Sequence, residues 1–456
     1  MRPNQSAADL RRNIHAGRLT VAVIVTIYTL VLAWVYDEII SPRFGYGGFV
    51  TIDPDFLSVL RDAMTCGLLA LLLPTSVTRP SDLGRILVLF LVTMPTVTVP
   101  TFLTDYWDTG VTEAKFYGIA AYLILTATLA VLPRAAIPPL RLPGNTSLYG
   151  LLALSAVAIV VLGLSYGFTL KFHALTDVYD QREIYSEGGG GRGIIGITAG
   201  LLQNALAPLF LALGLYRRSL FYFLVGFFIL FYIYSITGLK SSFIGFIFVL
   251  VTYALTALTT RFTFTRVWCI SLTVFVGASA LFSSVPGLAV GVDLMVRRVL
   301  AMQGMLTYNY IRIFGNEEPT YYSHTIFRVF FQDPFTGNPP DIVGSALLGR
   351  SVHANASFMT DGYVSGKVVG VVFATVVVAV FLVLLDSISG ELPTAVALSS
   401  TCLVIFIATQ SGVVTALINH GGLALAACIW LAGSNFSDSK HGPPPPLDAP
   451  ARRSRA

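Results

Sequence analysis

The chain has 456 residues, of which 55% are hydrophobic and only 12% are charged, and its mean hydropathy is +0.74. Soluble domains carry about 25% charged residues, so this composition excludes a water-soluble globular protein and places most of the chain in lipid. The net charge of +5 does not indicate a nucleic-acid partner, because most basic residues flank apolar runs, where membrane orientation explains them.

Twelve apolar runs predict membrane-spanning helices, each needing about 20 residues. They begin near residues 19, 56, 86, 116, 148, 194, 219, 241, 267, 366, 394 and 414. The first run ends in Tyr36-Asp37-Glu38 without a small-residue cleavage site, so we interpret it as a span and not as a signal peptide. The second run contains Arg61 and Asp62, which form either an internal pair or a snorkelling pair near a span end. We therefore expect an all-α polytopic membrane protein with about 12 transmembrane helices.

The basic residues predict the orientation, because Lys and Arg accumulate on the cytoplasmic side. Sixteen of the 29 lysine and arginine residues lie in the leader 1–18, in alternate short loops and in the tail 435–456, all on one face of the twelve-span arrangement. Both termini are therefore expected in the cytoplasm, and the proline-rich tail is expected to be disordered. Spans one to nine occupy 19–290, a large extracytoplasmic loop occupies 291–366, and spans ten to twelve occupy 367–434.

A glycine-rich segment, 170–193, lies on the extracytoplasmic face in this arrangement. Its sequence TDVYDQREIYSEGGGGRG places four consecutive glycines between Arg182 and Arg192, directly before a predicted helix. Free N–H groups and the helix dipole favour anions at such a position. ATP is excluded by the location and by the missing GK[ST] ending of a P-loop. The pyrophosphate of a lipid-linked sugar is the expected ligand.

Further polar residues with expected roles lie in short external segments. Lys240 lies in the tight turn SITGLKSSF and faces either headgroups or a site, and Arg298 lies in VDLMVRRVLAMQGMLTYNYIRIFG, which predicts an interfacial amphipathic helix. TIFRVFF predicts a second short element in the headgroup region. Aromatic side chains of the large loop either anchor it at the interface or stack on sugars. The tyrosines considered for stacking are Tyr310, Tyr322 and Tyr363.

Three blocks of the chain resemble the bacterial oligosaccharide repeat-unit polymerases, the Wzy-type O-antigen polymerase family. The blocks are DVYDQREIYSEGGGGRG with the following NALAPLFLALGLYRR, then FYIYSITGLKSSFIGFIF, and then HANASFMTDGYVSGKVVGVVF, together with an early SPRFGYGGF stretch. The family shows an arginine and a glycine separated by ten residues in its external loops. Arg182 and Gly193 match this spacing, whereas Arg350 and Gly362 are one residue too far apart.

The resemblance implies a GT-C-type glycosyltransferase of the bacterial plasma membrane. Such an enzyme transfers a growing glycan from its polyprenyl pyrophosphate to a new lipid-linked repeat unit, with no nucleotide sugar, cofactor or metal. Its expected partners are the donor and acceptor lipids, the bilayer and a chain-length regulator. The chain contains no HExxH or CxxC, so zinc chemistry is not expected either.

This reaction needs cations for the departing pyrophosphate and a base for the acceptor hydroxyl. The expected pyrophosphate ligands are Arg182, Lys240 and Arg298, followed by Arg192 and Arg350. The expected base is Asp361, followed by His353 and Asp177.

Two other functions are compatible with the pattern. An O-antigen ligase-like enzyme would have nearly the same topology and would hand the glycan to a different acceptor. A flippase for lipid-linked sugars would show internal repeats and polar residues along its spans, whereas here the polar residues concentrate in two external segments.

Overall fold

The computed structural model describes residues 7–140, 142–172, 181, 185, 193–239, 241–285, 292–349 and 352–437. Over these residues the fold is helical and contains no β-strand. The principal helices are α1 (Ala7–Val35, continued by short helical turns to Gly47), α2 (Phe56–Ala70), α3 (Pro80–Leu103), α4 (Thr109–Val131), α5 (Thr146–Tyr166), α6 (Gly193–Arg217), α7 (Leu220–Thr237), α8 (Ser241–Leu258), α9 (Phe264–Leu281), α10 (Val292–Ala301 with Met302–Phe314), α11 (Pro339–Leu348), α12 (Phe358–Ile388), α13 (Thr394–Ala408) and α14 (Val413–Phe436).

Ten of the described helices are long and apolar enough to cross a membrane, which confirms an all-α polytopic membrane protein. They are α1, α3, α4, α5, α6, α7, α8, α9, α12 and α14. The other two predicted spans are helices α2 and α13, with 15 residues each. Fifteen residues of α-helix extend about 22 Å, less than a hydrocarbon core of about 30 Å. The count of twelve spans therefore stays a prediction.

Helix α2 returns alongside α1. A Cβ at Gly67 would meet Thr26 and the carbonyl of Ala22, so the small residue allows the two helices to pack closely. Residues just after α2 reach the level of Arg18, where Pro74 and Arg18 line the same small cavity. The two helices are therefore antiparallel, and α2 with its following turn covers most of the length of α1.

Among the described residues, basic side chains from the ends of several helices lie together at one end of the bundle. Arg18 and Arg266 line one cavity, and the backbone N–H of Val77 donates to the carbonyl of Arg261 over 2.9 Å. Arg134 lies at this end too, where its Nε donates to the buried Asp386 over 3.0 Å and extends the cationic cluster to the end of α12. We refer to this part of the molecule as the cationic end.

A buried ion pair joins α2 to α4. Lys115 Nζ lies 2.8 and 3.0 Å from the two carboxylate oxygens of Asp62, and Thr101 donates a further hydrogen bond. Arg61 is exposed and lies over the rings of Tyr106 and Trp107. The pair inside the bundle is thus Asp62 with Lys115, a partner 53 residues away, and not the adjacent Arg61.

The segment predicted as an interfacial amphipathic helix is helical, but its location differs from the prediction. Most residues of Met302–Phe314 are buried, and a Cβ at Gly304 would meet the carbonyl of Pro95 in α3. Because residue 304 is glycine, the backbones of α10 and α3 pack closely, and α10 lies inside the bundle. The predicted large loop therefore contains a core helix.

Helix α12 is broken at Gly366 and Lys367. Lys367 has φ of 53° and ψ of −132°, a left-handed region that a non-glycine residue rarely adopts, and its Nζ caps the carbonyls of Phe314 and Gly315. Eight residues of continuous helix would separate Gly362 from Gly370 by about 12 Å. Instead a Cβ at Gly362 would lie 2.6 Å from the carbonyl oxygen of Gly370. The first two turns of α12 are therefore folded against its long apolar part.

We expect the Asp62→Asn variant to be strongly destabilised, because it leaves the ammonium group of Lys115 buried without its counter-charge. Removing one partner of a buried pair costs about 3–5 kcal/mol. The double variant Asp62→Asn/Lys115→Met should recover most of this loss. Thermal unfolding in detergent measures both, with Arg61→Met as the matched exposed control. Additive losses in the double variant would contradict the pairing.

Candidate functional site

A polar cavity of about 380 Å³ lies at the end of the bundle opposite the cationic end. Its wall includes Thr237, the last residue of α7. The basic residue Arg217 lies just before the other end of α7, over the ring of Phe436 near the chain's last described residues. The polar lining residues are Gln203, Asn204, Thr237, Ser241, Arg298, Gln303, His353, Asn355, Gln410, Ser411, Asn419 and His420. The cavity is therefore a hydrogen-bonding site at the mouth of an apolar bundle.

Four segments that the sequence analysis selected separately meet at this cavity. Tyr185 comes from the glycine-rich segment, Ser241 from the SITGLKSSF turn, Arg298 from α10, and His353 from the block before α12. The sequence predicts that residues of these segments form one site, and such a site requires the segments to lie close together, as they do here. Five predicted site residues, Asp177, Arg182, Arg192, Lys240 and Arg350, lie outside the described residues.

Two buried amide side chains lie in the wall of the cavity. Asn204 Nδ2 donates to the carbonyl of His420 over 3.1 Å, and Gln303 Nε2 donates to Oε1 of Gln410 over 2.9 Å. The remaining oxygens, Oδ1 of Asn204 and Oε1 of Gln303, are buried without a hydrogen-bond partner. An unpaired buried acceptor is unfavourable by about 1–3 kcal/mol. A hydroxyl-bearing ligand in the cavity would satisfy both acceptors.

Local backbone geometry presents Asn204 to the cavity. Residues Leu201–Leu206 of α6 form a π-helical turn, a distortion that is frequent at functional sites. One turn earlier, a Cβ at Gly200 would meet the carbonyl of Asn419, so glycine is required for α6 to touch α14 here. This amide site was not predicted from the sequence. Adjacent Gln203 and Asn204 inside an apolar span were the available signal, since polar residues are expensive in membranes.

His353 forms a hydrogen-bonded pair with Asp341 at the rim. Its Nδ1 lies 2.7 Å from Oδ1 of Asp341, which stands in the first turn of α11. The N–H of Ala354 donates to the carbonyl of Pro340, which fixes the segment on α11. A carboxylate on Nδ1 orients the ring and leaves Nε2 to face a ligand, as in catalytic His–Asp pairs. The pair can therefore accept a proton from a group in the cavity.

Asp361 lies behind the cavity wall and does not line it. Its Oδ1 is 2.9 Å from Nε2 of His324, and its Oδ2 is buried without a partner. A Cβ at Gly412 would collide with this carboxylate, and the preceding residue, Ser411, lines the cavity. His324 was not selected from the sequence, because an isolated histidine in a loop carries no motif.

The Asp361 carboxylate controls the protonation of His324. Burial lowers the pKa of His324, but the hydrogen bond and charge of Asp361, helped by Asp333, outweigh it and raise the pKa above the ordinary value. The second nitrogen, Nδ1, lies 3.3 Å from the hydroxyl of Thr320. His324 is therefore held as a cation beside Asp361 over a wider pH range than a free histidine.

The three tyrosines considered for sugar stacking are buried in the protein core. Tyr310 donates its hydroxyl to the carbonyl of Ala354, and the ring of Tyr363 packs 5.1 Å from that of Tyr117. Tyr322 packs against several neighbouring rings and is only 8% exposed. Since their ring faces are covered by other side chains, stacking on sugars is the wrong assignment for all three. They support the segments that carry His353 and Asp361.

We expect the His324–Asp361 pair to make stability depend on pH. The folded-state pKa of His324 lies above its unfolded value of about 6.5. The contribution is therefore fully present below about pH 6.5 and is lost as the pH rises through the folded-state pKa. Melting temperatures of wild type and His324→Gln should differ more at about pH 5.5 than at about pH 8.5. A difference between wild type and His324→Gln that does not change with pH would contradict this.

The chain matches no protein-family model, no curated protein and no solved structure. Among the described residues no group of three or more His, Cys, Asp or Glu side chains is placed to hold a metal ion. The contacts within the chain itself are therefore the basis for a functional assignment.

Proposed function

We propose that the protein is a GT-C-type glycosyltransferase with about twelve spans that polymerises polyprenyl-pyrophosphate-linked oligosaccharide repeat units. The observation that carries this proposal is the polar cavity at the mouth of the bundle, with buried unpaired amide oxygens at Asn204 and Gln303 and a cation, Arg298, in its wall. Sugars supply hydroxyl donors for such acceptors, and a lipid-linked phosphate supplies an anion for the guanidinium group.

The positive-inside distribution supports the side of the membrane on which this would occur. Described cations such as Arg18, Arg134 and Arg266 gather at the end opposite the cavity. With that end in the cytoplasm, the cavity faces the extracytoplasmic side of a bacterial plasma membrane, where lipid-linked repeat units await polymerisation.

The proposed reaction is a displacement at the anomeric carbon of the donor glycan. An acceptor hydroxyl of the new repeat unit attacks this carbon, and the bond from the carbon to the pyrophosphate oxygen breaks. The electron pair leaves with the polyprenyl pyrophosphate, and the hydroxyl proton passes to a base. Arg298 stabilises the charge that develops on the leaving group. From the sequence, Arg182 and Lys240 are expected to assist it, with Arg192 and Arg350 next.

Geometry favours His353 over Asp361 as the base. His353 lines the cavity, and Asp341 both orients its ring and stabilises the imidazolium that forms. Asp361 is already hydrogen-bonded to His324 behind the wall, close to Gly412, and it does not line the cavity in which the acceptor would lie.

The decisive test uses purified protein in nanodiscs with a synthetic polyprenyl-pyrophosphate repeat unit, no nucleotide sugar and a chelator. We expect a ladder of lengthening glycans from wild type. Arg298→Gln should lower the rate about 10–1,000-fold, because a cation near the leaving group is lost. Arg297→Gln is the matched control, since Arg297 pairs with Asp293 and lies over Phe44. Products on a different acceptor would instead indicate a ligase, and movement of intact substrate between leaflets would indicate a flippase.

We expect His353→Gln to lower the rate of chain extension about 100–10,000-fold through the loss of the base. Asp341→Asn should cause a smaller loss, because the base remains and only its orientation and charge stabilisation suffer. Rates under saturating substrate measure both effects. Normal extension by His353→Gln together with an inactive Asp361→Asn would transfer the role of base to Asp361.

A further inference from the structure

A second concave surface, an apolar groove of about 590 Å³, lies between α5 and α7. Its wall includes Leu152, Ala156 and Ile159 of α5 and Phe221, Phe228 and Tyr232 of α7. Several of these side chains are exposed, Phe221 by 59% and Phe228 by 49%, so the groove opens sideways from the bundle. Both helices are candidate membrane spans, and the groove therefore opens towards lipid.

The polar groups in the groove wall are already paired with the protein. Ser155 donates its hydroxyl to the carbonyl of Leu151 over 2.9 Å, and Tyr232 donates to the carbonyl of Gly167 over 3.0 Å. The groove thus offers a ligand only hydrocarbon and aromatic surface. A hydrocarbon chain is the ligand that such a surface binds inside a bilayer.

The groove is long and leads towards the polar cavity. From Phe221 to Tyr232 the wall extends about 16 Å along α7, from near the cationic end towards the cavity end. At the cavity end, the hydroxyl of Tyr166 donates to the carbonyl of Tyr185 over 3.3 Å, and their rings lie 5.0 Å apart. Tyr166 ends α5, and Tyr185 lines the polar cavity, so this aromatic contact connects the end of α5 with the cavity wall.

A cation stands at the cavity end of the groove. Leu170 lines the groove, and the next residue, Lys171, is exposed. The backbone N–H of Lys171 donates to the hydroxyl of Ser235 over 3.1 Å, which fixes the position of this lysine relative to α7. An anionic group attached to a chain in the groove would therefore meet an ammonium group just before the polar cavity begins.

We propose that this groove binds the polyprenyl chain of the lipid-linked substrate, with its phosphate at Lys171 and its glycan in the polar cavity. The inference rests on the proposed function and names the lipid-binding part of the same site. The charge at Lys171 and the continuity through Tyr166 and Tyr185 favour this occupant over a phospholipid, whose headgroup has no glycan to extend into the cavity.

The first test uses the wild-type chain in phosphatidylglycerol nanodiscs with undecaprenyl phosphate that carries a photoreactive diazirine in its chain. After irradiation, mass spectrometry should locate the cross-links on 152–159 and 221–232. The lipid-facing surface of α9, with exposed Ile270 and Val274, is the internal comparison. Equal labelling of α9, or equal displacement of the probe by added phosphatidylglycerol and by unlabelled undecaprenyl phosphate, would overturn the groove assignment.

The second test fills the groove by substitution. Ala156→Trp places a large ring at an exposed position of the wall and should lower cross-linking about tenfold, whereas Val157→Trp on the neighbouring lipid-facing surface should leave it unchanged. Unchanged cross-linking of correctly folded Ala156→Trp would overturn the proposal.

Because the probe carries no sugar, the cross-linking experiment and the glycan-ladder experiment test lipid binding and glycan transfer separately. Groove labelling without a glycan ladder would refute the proposed polymerase and retain the lipid site. A ladder with labelling elsewhere would refute the groove and retain the polymerase.

Discussion

The constraint on which this structure depends is the cost of an unpaired polar group inside a bundle surrounded by hydrocarbon. The two most deeply placed carboxylates obey it: Asp62 is held by Lys115 and Thr101, and Asp386 by Arg134 and Ser81. Each of these groups ties together helices that are distant in sequence. Several other buried polar atoms of the described residues are unpaired, but the oxygens of Asn204 and Gln303 belong to residues that line one cavity, where a ligand is able to supply the missing hydrogen bonds.

Two helices are irregular where they reach the cavity: a π-helical turn in α6 carries Gln203 and Asn204, and α10 begins with a π-helical segment that carries Arg298. Behind the cavity wall, α12 is broken at Lys367. Regular helices would close such a space, because their backbones satisfy themselves and their side chains interdigitate. Glycines allow the deviations, as at Gly362, where the two parts of α12 touch, and at Gly412, where the chain passes the Asp361 carboxylate.

Sequence patterns predicted the helices well, because hydropathy reports directly on burial in lipid. They also selected four of the segments that form the cavity, since polar residues in an apolar chain are few and conspicuous. They did not predict the pairing of Asp62 with Lys115, the burial of Tyr310 or the His324–Asp361 pair. Each of these depends on which helices are neighbours, and a pattern within one helix carries no information on the identity of its neighbour. For α10 the amphipathic pattern was present, but its apolar side faces other helices and not the membrane surface.

The arrangement of the two concave surfaces also bears on how a polymerase of this kind could release its product. The groove is open to lipid along the length of α7, so a hydrocarbon chain can leave sideways without disturbing the bundle. The polar cavity, in contrast, is lined by segments from five regions of the chain, and on the proposed function these would hold a glycan by directional hydrogen bonds. On this proposal, the spent lipid loses its connection to the glycan after transfer and keeps its apolar contacts, together with the charge interactions of its pyrophosphate with Lys171 and Arg298. On this proposal the leaving lipid therefore dissociates more readily than the extended chain, which keeps its sugars in the cavity. The asymmetry of the two surfaces then favours exchange of the spent lipid over loss of the growing polymer.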